Sequence, residues 1–416
     1  FTKCNSIQEG GAISSGIMKS DGMSEGDNDL SCNNCSFIEC SSGNGGALYF
    51  QNGNEEGNEE VYLTNSQFIN CFASNCEGYA ISSRSYIFSL SNCTFADHNY
   101  EIDYKKHSIV FIKMDEDNVA PTLNYCTFNN NSGPSSILLD IKMPATIVRF
   151  SFNNYHYDKY KLNPCVNLDD WVIQPTDGTG SVTFDECNFT NISNVHCVYM
   201  TQPNFEATFT YCNFRNNRID TNGLGGPCGP SIYSEASGNV SVKGCTFVNN
   251  SSDGQGGAIY ADVQSIEIND CIFLSCCTSS IQGYDFGGAV CLYGADALGS
   301  ETIYNCSFEN CTSSYSGGGL YIYCRDYEGK SLKDVPDIPV DQDYIIYINS
   351  CNFTGCKSEK EGGAISSGIN QEGEVSGDND LQIYECYFIE CESGSGGALY
   401  FQDGTTEGDE QTIILS

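Results

Sequence analysis

Positive charge is what this sequence lacks most: 18 Lys and Arg stand against 54 Asp and Glu in 416 residues, a formal net charge of −36. Nucleic acid and anionic membrane both need a basic face that displaces counterions, so neither is expected as a partner. No run of about 18 apolar residues occurs, so no direct membrane insertion is expected. No stretch shows a convincing apolar stripe of helical period, which points away from an α-helical fold. The four His (His98, His107, His156 and His196) stand at no ligand spacing to a Cys pair. Neither a zinc site nor a thiol nucleophile with a His base is expected from them. The bases are scattered singly and no paired-Asp motif stands on a strand outside the repeat, as a polysaccharide lyase or hydrolase would require. No catalytic residue and no cofactor is assigned. The chain starts at Phe1 without an initiating Met or a signal peptide, so a mature or excised segment is expected.

What is present is enough apolar material for a core, at 40% hydrophobic and 12% aromatic residues, together with 25 Cys. The first excludes disorder, and the second favours an oxidising compartment and disulfides. The organising feature is a repeat, C-x-F-x-x-[NC]. It is clear at Cys35–Cys40, Cys126–Asn131, Cys212–Asn217 and Cys245–Asn250, and it recurs around Phe95, Phe189, Phe273, Phe308, Phe353 and Phe388. Phe68 and Phe152 keep the Phe without the leading Cys. Eleven intervals span the 351 residues from Phe37 to Phe388, a mean near 32, which suits one coil of a solenoid. Eight to fifteen residues after about half of the copies comes Gly-Gly-Ala and a short apolar strand, as in Gly45-Gly46-Ala47-Leu48, Gly256-Gly257-Ala258-Ile259 and Gly362-Gly363-Ala364-Ile365. Segments such as Ser265–Ile268 alternate with period two between these steps. The expected fold is all-β: one parallel β-helix of about 13 coils, with Cys and Phe pointing inward and Phe stacked on Phe from coil to coil.

The paired F-x-x-N and G-G-A-[ILV] motifs resemble the polymorphic outer membrane protein repeats of chlamydiae, also found in large surface proteins of some protists. The resemblance extends over nearly the whole chain. It implies a right-handed parallel β-helix with a surface or adhesive role. Two departures stand out: the fourth motif position is often Cys, as at Cys40, Cys276 and Cys391, and these residues contain no anchoring barrel.

A longer period overlies the short one. Residues 1–17 match residues 353–369 at 13 of 17 positions, and the match resumes at Gly26–Leu30 with Gly377–Leu381 and at Phe37–Cys40 with Phe388–Cys391. Residues 1–65 and 353–416 thus read as equivalent parts of a unit of about 351 residues. The expectation is one continuous β-helix over residues 1–416, cut from tandem copies, with loop insertions at 97–120, 153–181 and 325–343. The middle insertion holds Tyr155, His156, Tyr157, Tyr160 and the only Trp, Trp171, as aromatics for stacking on sugars or for covering the flank.

Three sets of residues carry candidate chemistry. Five motifs have Cys at both ends: Cys35 and Cys40, Cys271 and Cys276, Cys306 and Cys311, Cys351 and Cys356, Cys386 and Cys391. Disulfides within a motif, disulfides between equivalent Cys of adjacent coils, and a ladder of buried thiols all remain open. Sequons offer N-glycosylation at Asn34, Asn92, Asn130, Asn188, Asn191, Asn239, Asn249, Asn305, Asn310 and Asn352. Nine of these stand at −3, −1 or +2 from a motif Phe, where side chains point outward or onto the turn. An eleventh sequon, at Asn250, falls on the fourth motif position and reads as an inward Asn stacking with Asn131 and Asn217. Loop acids Asp27, Asp29, Asp378 and Asp380 are weak Ca²⁺ candidates, a solvated acidic face being the default. The functional expectation is a secreted or cell-surface structural glycoprotein, a segment of a fibre whose partners are covalent glycans and further copies of itself. The alternatives are an adhesin for a host or glycan receptor and a carbohydrate-active enzyme.

Overall fold

The computed structural model describes residues 1–15, 29–51, 60–75, 78–99, 108–114, 119–132, 136–141, 144–156, 171–175, 181–200, 206–220, 228–235, 238–263, 265–280, 285–293, 301–323, 345–367, 380–401 and 413–415. Every regular element among them is a β-strand, and every pairing is parallel to the equivalent strand of the next coil. The chain is all-β and folds as a parallel β-helix in each of two compact units, Phe1–Gln202 and Pro203–Ser416.

One coil shows the plan. Ser265–Asn269 alternates buried and exposed residues, and Ile272–Leu274 carries the inward Phe273. The two-residue strand Cys277–Thr278 follows, and Gly287-Gly288-Ala289 leads into Val290–Tyr293. Phe strands pair in register through Phe37, Phe68, Phe95, Phe128, Phe152 and Phe189 in the first unit. In the second unit they pair through Phe214, Phe247, Phe273, Phe308, Phe353 and Phe388. The rings stack nearly parallel, with centroids 4.7 Å apart at Phe247–Phe273 and 4.9 Å at Phe37–Phe68. That spacing is set by the backbone hydrogen bonds between strands, about 4.8 Å. It exceeds the 3.5–4.0 Å of carbon contact, so the parallel rings slide past one another into the offset arrangement that aromatic quadrupoles favour.

Register survives large changes in coil length. Phe128 and Phe152 are 24 residues apart in the chain, while Phe308 and Phe353 are 45 apart, and both pairs are exact rungs. The Gly-Gly step recurs in seven of the coils. Gly287 sits at φ +66°, where a Cβ would collide with Val290 O. Gly288 has ordinary φ, but a Cβ there would lie well inside contact distance of Gly318 O and Thr312 O. The first glycine serves a left-handed bend, and the second lets adjacent coils touch backbone to backbone. The strand that follows is buried on both faces, as at Ile259, Tyr260 and Ala261, which explains its unbroken apolar run.

Two of the expected insertions begin inside regular coils. In the range 97–120, Asp97–Asn99 complete one coil, and Val110–Met114 is a full strand paired with both neighbours. In the range 153–181, Tyr155 is buried, His156 bridges to Ser193, and Trp171–Pro175 is a strand. Both escape a motif search because neither strand follows a Gly-Gly step. Tyr155 therefore cannot present its ring to a sugar. Tyr157, Tyr160 and the range 325–343 lie outside the described residues.

Replacing Phe273 with Ala removes two ring stacks and leaves a void, with an expected loss of about 3–5 kcal/mol. Gly288→Ala forces two coils apart and is expected to cost at least as much. Urea unfolding of both variants, with hydrogen exchange to show whether loss concentrates in the adjacent coils, tests this account.

Candidate functional site: the two corners that flank each phenylalanine

Each Phe strand is pinched between two left-handed residues. The first stands three places before the Phe, as at Asn34, Asn65, Asn92, Tyr125, Asp270 and Asn305. The second stands two places after it, as at Glu39, Asn70, Asn130, Asn154, Asn249 and Asn310. Both corners recur with φ between +48° and +63° around all twelve Phe strands. The left-handed region costs an ordinary L-residue roughly 1–2 kcal/mol, and Asn or Gly least. Asn fills four of the first corners and seven of the second, and Gly244 and Gly355 fill two more.

Seven of the ten sequon asparagines, Asn34, Asn92, Asn130, Asn191, Asn249, Asn305 and Asn310, are these corner residues. The backbone thus supplies a reason for Asn there that is independent of any glycan. Their side chains are exposed, as are those of Asn239 and Asn352, while Asn188 is half-buried. Several corner carboxamides hydrogen-bond to the equivalent residue one coil away. The Asn92 Nδ2 donates to Asn65 Oδ1 at 2.7 Å, Asn191 to Asn154 at 3.0 Å, and Asn305 to Asp270 at 2.7 Å. The outer edge of each corner is therefore a ladder of polar groups on an exposed flank.

Behind each corner the inward residues hydrogen-bond to the backbone of neighbouring coils. Two residues before the Phe, several Cys Sγ donate to a carbonyl of the preceding coil, five residues ahead of that coil's Phe. Cys271 reaches Val242 O at 3.5 Å, Cys306 Ile268 O at 3.3 Å, Cys351 Ile303 O at 3.6 Å and Cys386 Ile348 O at 3.5 Å. The same sulfur accepts from the backbone N–H of the preceding Cys, at 3.4 Å from Cys306 to Cys351 and from Cys351 to Cys386. Where Ser66 replaces Cys, its hydroxyl accepts from the Cys35 N–H at 3.1 Å in the same way. At the fourth motif position, Cys276, Cys311, Cys356 and Cys391 donate to the preceding coil's Phe carbonyl at 3.4–3.6 Å. Asn250 makes the equivalent bond to Phe214 O at 3.0 Å, and Asn131 to Phe95 O at 3.2 Å. Buried Asn250 also accepts from the Asn217 N–H, as expected for an inward Asn. Cys and Asn alternate at this position because both can donate to the preceding coil's Phe carbonyl, as a second donor beside the ladder N–H that Ile38 gives to Phe1 O at 2.9 Å.

The ten candidate disulfide residues are thiols in this structure. Cys35 and Cys40, and likewise Cys271 and Cys276, Cys306 and Cys311, Cys351 and Cys356, and Cys386 and Cys391, face inward on opposite sides of their Phe. Their sulfur contacts run to neighbouring coils instead. Burial pushes the Cys71 thiol up to about 12 and holds Cys197 and Cys291 well above the usual thiol range. His98 occupies a fourth-position rung, fully buried. Desolvation depresses it to about 4, against the opposing contact of its Nδ1 with Asn131 Oδ1 at 3.2 Å.

Only two of the four loop-acid candidates fall among the described residues. Asp27 and Asp378 lie outside the described residues. Asp29 is exposed and accepts from the Glu60 N–H at 3.1 Å, and Asp380 begins a strand paired to Ile345. Among the described residues, no group of three or more His, Cys, Asp or Glu is placed to hold a metal ion. No helix among them is long and apolar enough to cross a membrane.

A family model, the right handed beta helix region, matches residues 175–332. The match runs from the end of the first unit well into the second, and it fixes the hand of the coils as right. No curated protein and no solved structure matches the chain.

Two substitutions test the corner chemistry. Cys306→Ser keeps a donor and an acceptor, as Ser66 does, and is expected to cost about 1 kcal/mol less than Cys306→Ala in urea unfolding. For His98, the unfolded state takes up a proton first. Its contribution is therefore unchanged above about pH 6.5 and falls away as pH drops toward 4, by about 3 kcal/mol. His98→Asn, which copies the Asn131 rung, is expected to remove that part of the acid sensitivity in pH-dependent melting.

Proposed function

We propose that this chain is part of an extracellular, non-catalytic structural glycoprotein, a β-helical fibre or surface stalk in which a unit of about 351 residues recurs in tandem. The observation that carries this reading is that the near-duplicate ends occupy the same places in their coils. Phe1 stacks on Phe37 at 5.0 Å and Phe353 on Phe388 at 5.2 Å. Gly10 and Gly362 are both left-handed, and Ile13–Ser15 and Ile365–Ser367 are both strands that follow the Gly-Gly step. Counted by Phe residues, the period from Phe1 to Phe353 is eleven whole coils. Copies joined at that period keep every ladder in phase.

The exposed sequon ladder and the charge of −36 support a sugar-bearing, mutually repelling outer surface. The likeness to polymorphic outer membrane protein repeats points to the same cell-surface setting. Partners in this reading are the covalent glycans and further copies of the same unit. An adhesin is the second reading, favoured by exposed aromatics such as Tyr211 and Tyr387 on the flank of the Phe sheet. The fold itself is shared by carbohydrate-active enzymes and does not separate these classes.

Negative-stain imaging of the native protein, with intact mass before and after enzymatic deglycosylation, tests the proposal. Elongated particles with an axial repeat of about 53 Å, eleven coils at about 4.8 Å, and a mass that falls on deglycosylation are expected. A compact native particle near 45.3 kDa, unaltered by deglycosylation, would overturn it.

A further inference from the structure

The sequons do not simply follow the corners that hold them. Left-handed geometry favours Asn at every rung of a corner column, but a sequon also needs Ser or Thr two places on. In the first unit the second corners Asn130, Asn154 and Asn191 are three consecutive rungs, all left-handed and all exposed. Two places on stand Ser132, His156 and Ser193, so only the outer two are sequons. The first corners Asn34, Asn65 and Asn92 repeat the pattern, with Ser36, Gln67 and Thr94 two places on. In the second unit Asn216, Asn249, Ser275, Asn310 and Gly355 are five consecutive left-handed rungs. Their residues two places on are Arg218, Ser251, Cys277, Thr312 and Lys357, which makes the second and fourth rungs sequons. The remaining corner sequon, Asn305, stands between Asp270 and Ser350. Among the described corners, no two neighbouring rungs both carry a sequon.

The fold itself does not require this spacing. Arg218, Ser251, Cys277, Thr312 and Lys357 pair in one parallel ladder, so the position takes a cation, a thiol or a hydroxyl alike. The corner is equally indifferent, since Asn154 and Asn65 fill it as Asn130 and Asn34 do. What changes from rung to rung is the capacity to carry a sugar. Neighbouring rungs are about 4.8 Å apart and alternate rungs about 9.6 Å. A pyranose with its hydroxyl and acetamido groups is wider than one rung and narrower than two. We propose that the corner sequons Asn34, Asn92, Asn130, Asn191, Asn249, Asn305 and Asn310 carry N-linked oligosaccharides, and that the rung beside each is kept bare to house the sugar. The proposal rests on the glycoprotein reading above and adds the attachment pattern. In the attachment, Nδ2 bonds to the anomeric carbon of the oligosaccharide while that carbon's bond to a lipid diphosphate breaks. The lipid diphosphate leaves, and one Nδ2 hydrogen departs as a proton. The hydrogen that stays suffices for the bonds from Asn191 to Asn154 at 3.0 Å and from Asn249 to Asn216 at 3.3 Å. A bare rung thus also braces the loaded carboxamide.

The first test maps the occupied sites of the native protein, by peptide mass spectrometry after enzymatic glycan release in heavy-oxygen water. Label at the seven corner asparagines is expected. Label nowhere would sink the glycoprotein reading itself. Label confined to Asn188, Asn239 and Asn352 would leave that reading standing and overturn this one. The second test concerns the spacing. His156→Ser gives the bare Asn154 rung a sequon between two others, and His156→Ala removes the same imidazole without doing so. Both are produced in cells that attach N-glycans. The His156→Ser protein is expected to leave Asn154 empty, or to melt several degrees below His156→Ala when Asn154 is filled. Asn154 filled beside filled Asn130 and Asn191, with melting equal to that of His156→Ala, would overturn the proposal.

Discussion

Parallel, in-register stacking of coils at the strand spacing governs the rest of this structure. Each interior side chain must pack against its own equivalent above and below, so a residue type is admitted only if it can neighbour itself. Phe meets that demand by sliding into offset stacks, as from Phe214 to Phe388. Gly meets it at the second position of the Gly-Gly step, where Gly257, Gly288, Gly318 and Gly363 bring four backbones into direct contact. Cys meets it as a small, adaptable group that both donates and accepts. A charged side chain fails the demand, which accounts for the near absence of acids from the interior among the described residues.

The corners follow from closing a coil in so few residues. A left-handed residue on each side of a three-residue strand turns the chain sharply. The inward thiols and carboxamides add a second donor to carbonyls already in the ladders, as Cys40 does at Phe1 O beside the Ile38 N–H. Substitution within the ladders makes their role plain: Ser66 does the work of a Cys before its Phe, and Asn250 that of a Cys after it. Neither can form a disulfide. What the positions share is a hydrogen-bonding atom of the right reach, with sulfur chemistry as an incidental property of the commonest solution.

Much of this architecture could be read from the amino-acid order, because the repeat writes the same packing problem twelve times. Phe at a mean spacing near 32 residues, Gly-Gly-Ala before an apolar run, and alternation in segments such as Ser265–Asn269 each name a position in the coil. Less legible was the reason for Asn beside the motif. Sequon arithmetic and left-handed geometry select the same residue at the same places, and only the φ of Asn34 or Asn130 separates the two causes. Strands without a Gly-Gly step, such as Val110–Met114, passed for insertions because the marker was missing although the pairing was not.

The direction of the hydrogen bonds has a mechanical consequence. Strands in each unit run across the coil axis, so their backbone bonds lie along it and bear axial tension in series. A pull along that axis loads one coil-to-coil seam at a time, and it peels coils away where the seam is weakest. A pull along the strands loads many bonds together in shear. Such a unit is compliant and sacrificial lengthwise yet stiff crosswise, and its lengthwise strength is that of one seam, however many coils are added.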